Sequence, residues 1–369
     1  MKMRAMLGCM FLLLVLCGCP RKPLTVNLPV PPGLSEAPTG FEFPPQTNGH
    51  EDQPTMDNDR AQFEQDADLP ALGPFFNNRS CLDCHSNPAT GGNSALFEHR
   101  ISPDDPDDQI ASATLIHDQA VAGSPQQSAP PDAINTLRMS LSLFGDGFVE
   151  QIPDSEFMTL SAANGGQIIH VPILESPGKK GIGRFGWKDQ HASLLSFAGD
   201  ADFNEKGVGN RLVPDPQNGI EDNDNPTPTR PEDIDNYAEF MRSLKAPARG
   251  PITPQVTTGE KLFTQIGCAL CHVPTLYTDQ FQFHPFGDFL LHDIGTGDRI
   301  AQASAPANKV RTAPLWGVRV KARFLHDGRV FDLPSAIRAH RNEAKDAAHA
   351  FRKLSPDDRQ AVIAFLQSL

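Results

Sequence analysis

The chain is sparing with the residues that usually staple or anchor a fold. Its 369 residues include 7 cysteines, 2 tryptophans and 2 tyrosines. The one marked apolar run, Met10 to Leu16, is too short to span a bilayer as a helix. Positive charge is also short: 32 Lys and Arg stand against 45 Asp and Glu, a net charge of −13. That balance argues against a nucleic-acid partner.

The cysteines that are present are arranged. Cys81-Leu82-Asp83-Cys84-His85 and Cys268-Ala269-Leu270-Cys271-His272 both read C-x-x-C-H. This is the attachment signature of c-type haem: two thioethers hold the porphyrin and the histidine ligates iron. A shuffle of this composition yields roughly 0.004 such matches, so chance does not explain two. A redox dithiol needs no following histidine, and a four-cysteine zinc site would have to bridge a far longer gap than zinc modules use. Two covalent haem c groups are therefore expected, with Cys81, Cys84, Cys268 and Cys271 as attachment points and His85 and His272 as iron ligands.

The other three cysteines lie in the first 19 residues. Lys2 and Arg4 precede the apolar run, which ends in Leu16-Cys17-Gly18-Cys19. This resembles a bacterial lipoprotein box, predicting a signal peptide over 1–18 and lipidation of Cys19; an ordinary secretory signal is the alternative. Cleavage removes Cys9 and Cys17 and, with Lys2 and Arg4, takes the net charge from −13 to −15. With every remaining cysteine but Cys19 in a haem motif, no disulfide framework is left. The expected location is the periplasm or cell surface, lipid-anchored to a bacterial membrane. The acidic surface suits solubility or a basic redox partner.

Composition divides the rest. Residues 19–60 are rich in proline and read as a tether. An N-terminal haem domain is expected over 61–250 and a C-terminal cytochrome c domain over 251–369. Asn, Asp, Gly and Pro crowd the region before Pro231, after which Ile234, Tyr237, Met241 and Leu244 mark one face of a helix closing the first domain. In the second domain Thr258-Gly259-Glu260-Lys261 is expected to start a helix running into the haem motif, and Ser355-Pro356-Asp357-Asp358 to cap a final one. Gln167 to Ile173 is β-like. The predicted fold is mainly α: two cytochrome c-like haem domains, the first larger, partly irregular and containing a short β element.

The segments GPFFNNRSCLDCH, LFGDGFVEQIPD (143–154), GRFGWK (183–188), LFTQIGCALCHVPTL (262–276), FLLHDIGTG (289–297), RTAPLWGV (311–318) and FLHDGR (324–329), in this order, resemble the di-haem oxidoreductase, putative peroxidase family. That family is distantly similar to bacterial di-haem cytochrome c peroxidases. The resemblance implies a sixth ligand for the second haem in the helix after FLHDGR, where His340 stands in place of a methionine. Bis-histidine ligation lowers the potential relative to His/Met. It also implies a tryptophan between the haems, Trp187, with Trp316 the only other tryptophan. A carboxylate over the open haem is expected at Asp200 or Glu150, to move a proton between peroxide oxygens. His99 is a candidate distal ligand to the first haem.

Two readings follow. In one, an open haem reacts with hydrogen peroxide or a small substrate while the other passes electrons from a cytochrome or quinol-linked partner. In the other, both irons are six-coordinate and the chain is a membrane-tethered electron carrier. A calcium site in the acidic loop at 215–225 is a weaker alternative, since its spacing matches no EF-hand.

Overall fold

The computed structural model describes residues 45–68, 71–102, 114–214 and 233–369. The signal peptide, Cys19, most of the tether and the 215–225 loop lie outside the described residues.

Two helix pairs of the same design organise the molecule. The first joins α1 (Gln53–Glu64) to α5 (Asp233–Ser243), after α2 (Asp146–Glu150), α3 (Asp154–Asn164) and α4 (Leu194–Ala201). The second joins α6 (Pro254–Gln265) to α9 (Pro356–Leu366), with α7 (Leu333–Ala339) and α8 (Lys345–Lys353) between them. Each pair is keyed by phenylalanines. Phe63 on α1 meets Phe240 on α5 at 4.9 Å between ring centroids, and Phe263 on α6 meets Phe365 on α9 at 5.1 Å. The α6–α9 crossing is close because Gly259 has no side chain: a Cβ there would stand 1.9 Å from the Ala361 carbonyl oxygen.

Helix starts follow capping chemistry. Asp52 accepts the Thr55 amide at 2.9 Å and Ser355 accepts that of Asp358 at 3.1 Å, each with proline in the first turn. α1 therefore begins inside the stretch read as tether, and Met56, Asp59 and Phe63 form its buried stripe. α6 starts earlier than Thr258, because Thr253 caps it and Pro254 opens it. α5 buries Ile234, Tyr237 and Met241, the face read from periodicity, and α9 buries Val362, Phe365 and Leu366.

The stretch expected to form the first domain holds more strand than the single β element expected. Thr114–Ile116, Phe97–Ser102 and Ile134–Met139 form an antiparallel sheet with Phe97–Ser102 in the centre. The central strand buries Arg100 and Ser102, so its inward face is polar and apolar alternation does not betray it. His170–Pro172 within the β-like stretch pairs with Lys180–Ile182. Residues on both sides of position 250 share one core: Leu276, Phe281, Phe283, Phe289, Leu290 and Trp316 pack with Phe148, Phe157 and Phe240. The far core, around Val256, Phe351, Val362 and Leu366, is built from residues after position 250.

Candidate functional site

Both C-x-x-C-H motifs fold as a short 3-10 turn that bends the histidine back over the cysteines. The His85 amide donates to Cys81 O at 3.1 Å and the His272 amide to Cys268 O at 3.0 Å. Each ring is then oriented by a backbone carbonyl: His85 Nδ1 lies 3.1 Å from Gly92 O, and His272 Nδ1 3.1 Å from Phe286 O. A carbonyl only accepts, so Nδ1 carries the proton and Nε2 keeps a lone pair for a metal. Burial pushes both imidazoles down to about 4, and His340 adds to the effect at His272. They are neutral at pH 7, the form in which an imidazole can ligate a metal. Phe63 and Phe263 stand beside the two rings at centroid distances of 6.2 and 6.3 Å. Burial also pushes the Cys81, Cys84 and Cys268 thiols up to about 12, the opposite of what a redox dithiol needs.

Each motif opens onto its own cavity. The cavity at Cys81, Cys84 and His85 has a volume of about 350 Å³ and is lined by Glu98, Arg100, Asp200, Asp202, Glu205 and Lys206 among others. Glu205 accepts from Asn77 Nδ2 at 2.6 Å. Burial, reinforced by the Glu98 charge, lifts its carboxyl to about 7. Asp200 behaves in the opposite way: against burial, its 3.0 Å pair with His191 Nε2 carries it below the usual carboxylate range. Among the described lining residues His85 is the sole imidazole of this cavity.

The second cavity, about 620 Å³, is lined by Cys268, Cys271, His272 and His340. His340 closes the C-terminus of α7, and its Nδ1 donates to Ala336 O at 2.8 Å, which again leaves Nε2 free. Burial lowers its pKa, and its ring centroid stands 6.4 Å from that of His272. Two inward-facing imidazoles with free Nε2 atoms fit a metal held between them. His292 in FLLHDIGTG has a different role. Its Nε2 meets Asp288 at 3.0 Å, and its Nδ1 meets Glu343 at 2.7 Å and Cys271 Sγ at 3.8 Å, so both ring nitrogens are engaged; against the cost of burial, the contacts with Asp288 and Cys271 raise it to about 11.

Trp187 joins the two cavities. It lines both, as do Met139 and Ser140, and its Nε1 donates to Met139 O at 2.7 Å. Lys188 anchors the loop that carries it: fully buried, its ammonium donates to Pro306 O, Ala307 O and Lys309 O and pairs with Asp298 at 3.2 Å. Trp316 instead packs in the shared core, 6.0 Å from Phe283.

Two sequence-stretch expectations do not meet the cavities. His99 lies on the central strand between Glu98 and Arg100, which line the first cavity, so the pleat turns it to the other face, where Nε2 meets Asn135 Oδ1 at 2.9 Å. Glu150 lines neither cavity. Its carboxylate is occupied by Arg242, at 2.7 and 3.1 Å, and by the Leu194 amide at 2.7 Å, an ion pair that ties α2 to α4 and α5. Glu205 was not singled out from sequence. Its only local signal is a carboxylate before Lys206-Gly207 with no partner apparent until the fold brings Asn77 to it.

Residues 130–369 match the profile of the family described as Di-haem oxidoreductase, putative peroxidase. The cytochrome c551 peroxidase of Pseudomonas aeruginosa is 28% identical over 165 residues, covering 39% of this chain and 46% of that relative. The match thus spans less than half of the relative's length. Two solved structures resemble the chain loosely. A MauG-like protein associated with microbial copper homeostasis superposes with a TM-score of 0.46 at 15% identity, covering 89% of this chain and 93% of that one. The di-haem peroxidase BthA of Burkholderia thailandensis E264 gives 0.46 at 14% identity, covering 87% and 86%. Among the described residues no helix is long and apolar enough to cross a membrane.

Proposed function

The chain belongs to the di-haem oxidoreductase family, and on that premise we propose that it is an exported peroxidase-like enzyme with one reactive and one relaying haem. The reactive centre is the one attached at Cys81 and Cys84; the relay is the one attached at Cys268 and Cys271 and held by His272 and His340. The observation that carries this assignment is the contrast between the cavities. One places a second imidazole 6.4 Å from its proximal histidine, and the other has no second imidazole among its described lining residues.

A haem c held at each motif would supply one-electron redox chemistry and, in the cavity without a second imidazole, a site for peroxide. The rest is done by side chains. Glu205, lifted to about 7, lines the cavity where its carboxylate could take a proton from hydrogen peroxide and return it to the departing oxygen. Asn77 holds that carboxyl in place, and Arg100, 2.7 Å from Glu98, puts a cation into the same cavity. Asp200 is kept ionised by His191 and serves better as a fixed charge than as the proton carrier. Trp187 offers a packed aromatic path between the cavities. Electrons would come from a cytochrome or quinol-linked donor. The C-x-x-C-H pair and the Leu16–Cys19 segment support export to the periplasm and lipid attachment through Cys19.

Electron paramagnetic resonance of the oxidised, haem-loaded protein tests this reading. One high-spin and one low-spin iron, with peroxide turnover, are expected. Two low-spin irons and no turnover would replace the enzyme with the electron-carrier reading.

A further inference from the structure

The second cavity contains polar groups for which the protein supplies no partner. Thr296 is 3% exposed and His326 2% exposed, and neither the hydroxyl nor either ring nitrogen has a hydrogen bond among the described residues. Lys321 lines the same cavity. Burial pushes its ammonium down to about 8 and Arg311 adds repulsion, with no carboxylate offsetting either. Lys321 is half-buried at the cavity wall, and an ammonium held there without a counter-ion loses hydration that a carboxylate brought in by a ligand offsets.

His326 stands at the Trp187 end of the cavity, and Lys321 lies within reach of the Arg311 charge. The Arg311 amide donates to Trp187 O at 2.9 Å, and the His326 ring lies edge-on to Trp187 at 6.1 Å. Thr296 is two residues from Asp298, whose carboxylate pairs with Lys188, the neighbour of Trp187 in the chain. Haem c is tethered through its vinyl edge to Cys268 and Cys271. Its two propionates leave the opposite edge of the macrocycle, so they are the anions that this cofactor would bring to the far end of the cavity.

We propose that Lys321 and Thr296 form the receiving site for the propionate carboxylates of the C-terminal haem, an assignment that rests on the di-haem reading above. A cation at this edge favours the reduced iron, which carries one positive charge fewer. Lys321 thus tunes the relay haem upward, partly offsetting the low potential that two histidine ligands confer.

The test is a spectroelectrochemical titration of the haem-loaded full chain, comparing Lys321→Met, Lys321→Arg and Thr296→Val with the unaltered protein. Lys321→Met is expected to shift the reduction equilibrium of the low-spin haem about tenfold toward the oxidised form, about 59 mV for a one-electron couple. Lys321→Arg should restore it, and Thr296→Val should shift it less, in the same direction. A loaded Lys321→Met protein with unchanged potential, or an arginine variant no better than methionine, overturns the proposal. Should Lys321→Met not take up haem, Thr296→Val decides, and an unchanged potential there also overturns it. Absence of covalent haem at Cys268 and Cys271 in the unaltered chain would instead defeat the di-haem reading.

Discussion

His272 and His340 face one another across the second cavity with ring centroids 6.4 Å apart and ring planes inclined by 57°. A metal bound by two imidazoles through bonds of about 2 Å each sets ring centroids about 6 Å apart. The backbone has already spaced and oriented both rings for such a pair, since Phe286 O and Ala336 O hold their Nδ1 protons. His340→Ala should therefore convert one low-spin iron to high-spin, seen by electron paramagnetic resonance. His99→Ala should leave the spectrum unchanged, because that ring lies on the outer face of its strand. An unchanged spectrum in His340→Ala would remove this ligand from the account.

Glu205 should control the peroxide reaction. Glu205→Gln removes the proton carrier while keeping the shape, and a loss of about 10²–10⁴-fold in peroxide turnover is expected. In the unaltered protein kcat/KM for peroxide should rise through about pH 7 as the carboxylate forms. A variant that retains full rate and the same pH profile would rule the residue out.

The same carboxyl predicts a stability slope. Its folded value of about 7 lies above the ordinary 4.5, so between these two values the folded state binds more protons than the unfolded one. Stability is then greatest below pH 4.5 as far as this group is concerned, and falls as pH rises toward 7. Denaturant titrations of Glu205→Gln against the unaltered chain should show this component of the slope disappear.

Trp187→Phe keeps an aromatic ring but deletes the hydrogen bond to Met139 O, at a cost of about 1 kcal/mol. Both haem spectra should persist while electron transfer between the centres slows, measured by flash reduction of one haem. Transfer at the original rate would show that the indole is not on the path.

Phe263→Ala should cost about 3–5 kcal/mol, because the ring is 3% exposed and packs on Phe286, Phe365 and His272. Thermal or denaturant unfolding of the loaded protein reads this directly. Glu150→Ala, by contrast, should cost only about 1–2 kcal/mol by loosening Arg242, and should leave peroxide turnover intact. A collapse of turnover with stability preserved would return Glu150 to the list of proton carriers.

Local chemistry made much of this legible in one dimension. Two C-x-x-C-H motifs mark the expected attachment points, because thioether and axial ligation demand adjacent residues. Ser355 with Pro356, and Ile234 with Tyr237 and Met241, declare helices because capping and periodicity operate within a few residues. Tertiary structure alone decided what depends on residues far apart. It brought Asn77 to Glu205, turned His99 away by the pleat of its strand, spent Glu150 on Arg242, and set Trp187 rather than Trp316 between the cavities. It also hid the central strand from the pattern reader, since a strand that buries Arg100 against a polar cavity lacks the alternation of a strand facing an apolar core. Which side chains line the cavity at each motif histidine depends on packing across the fold, where sequence spacing carries no distance.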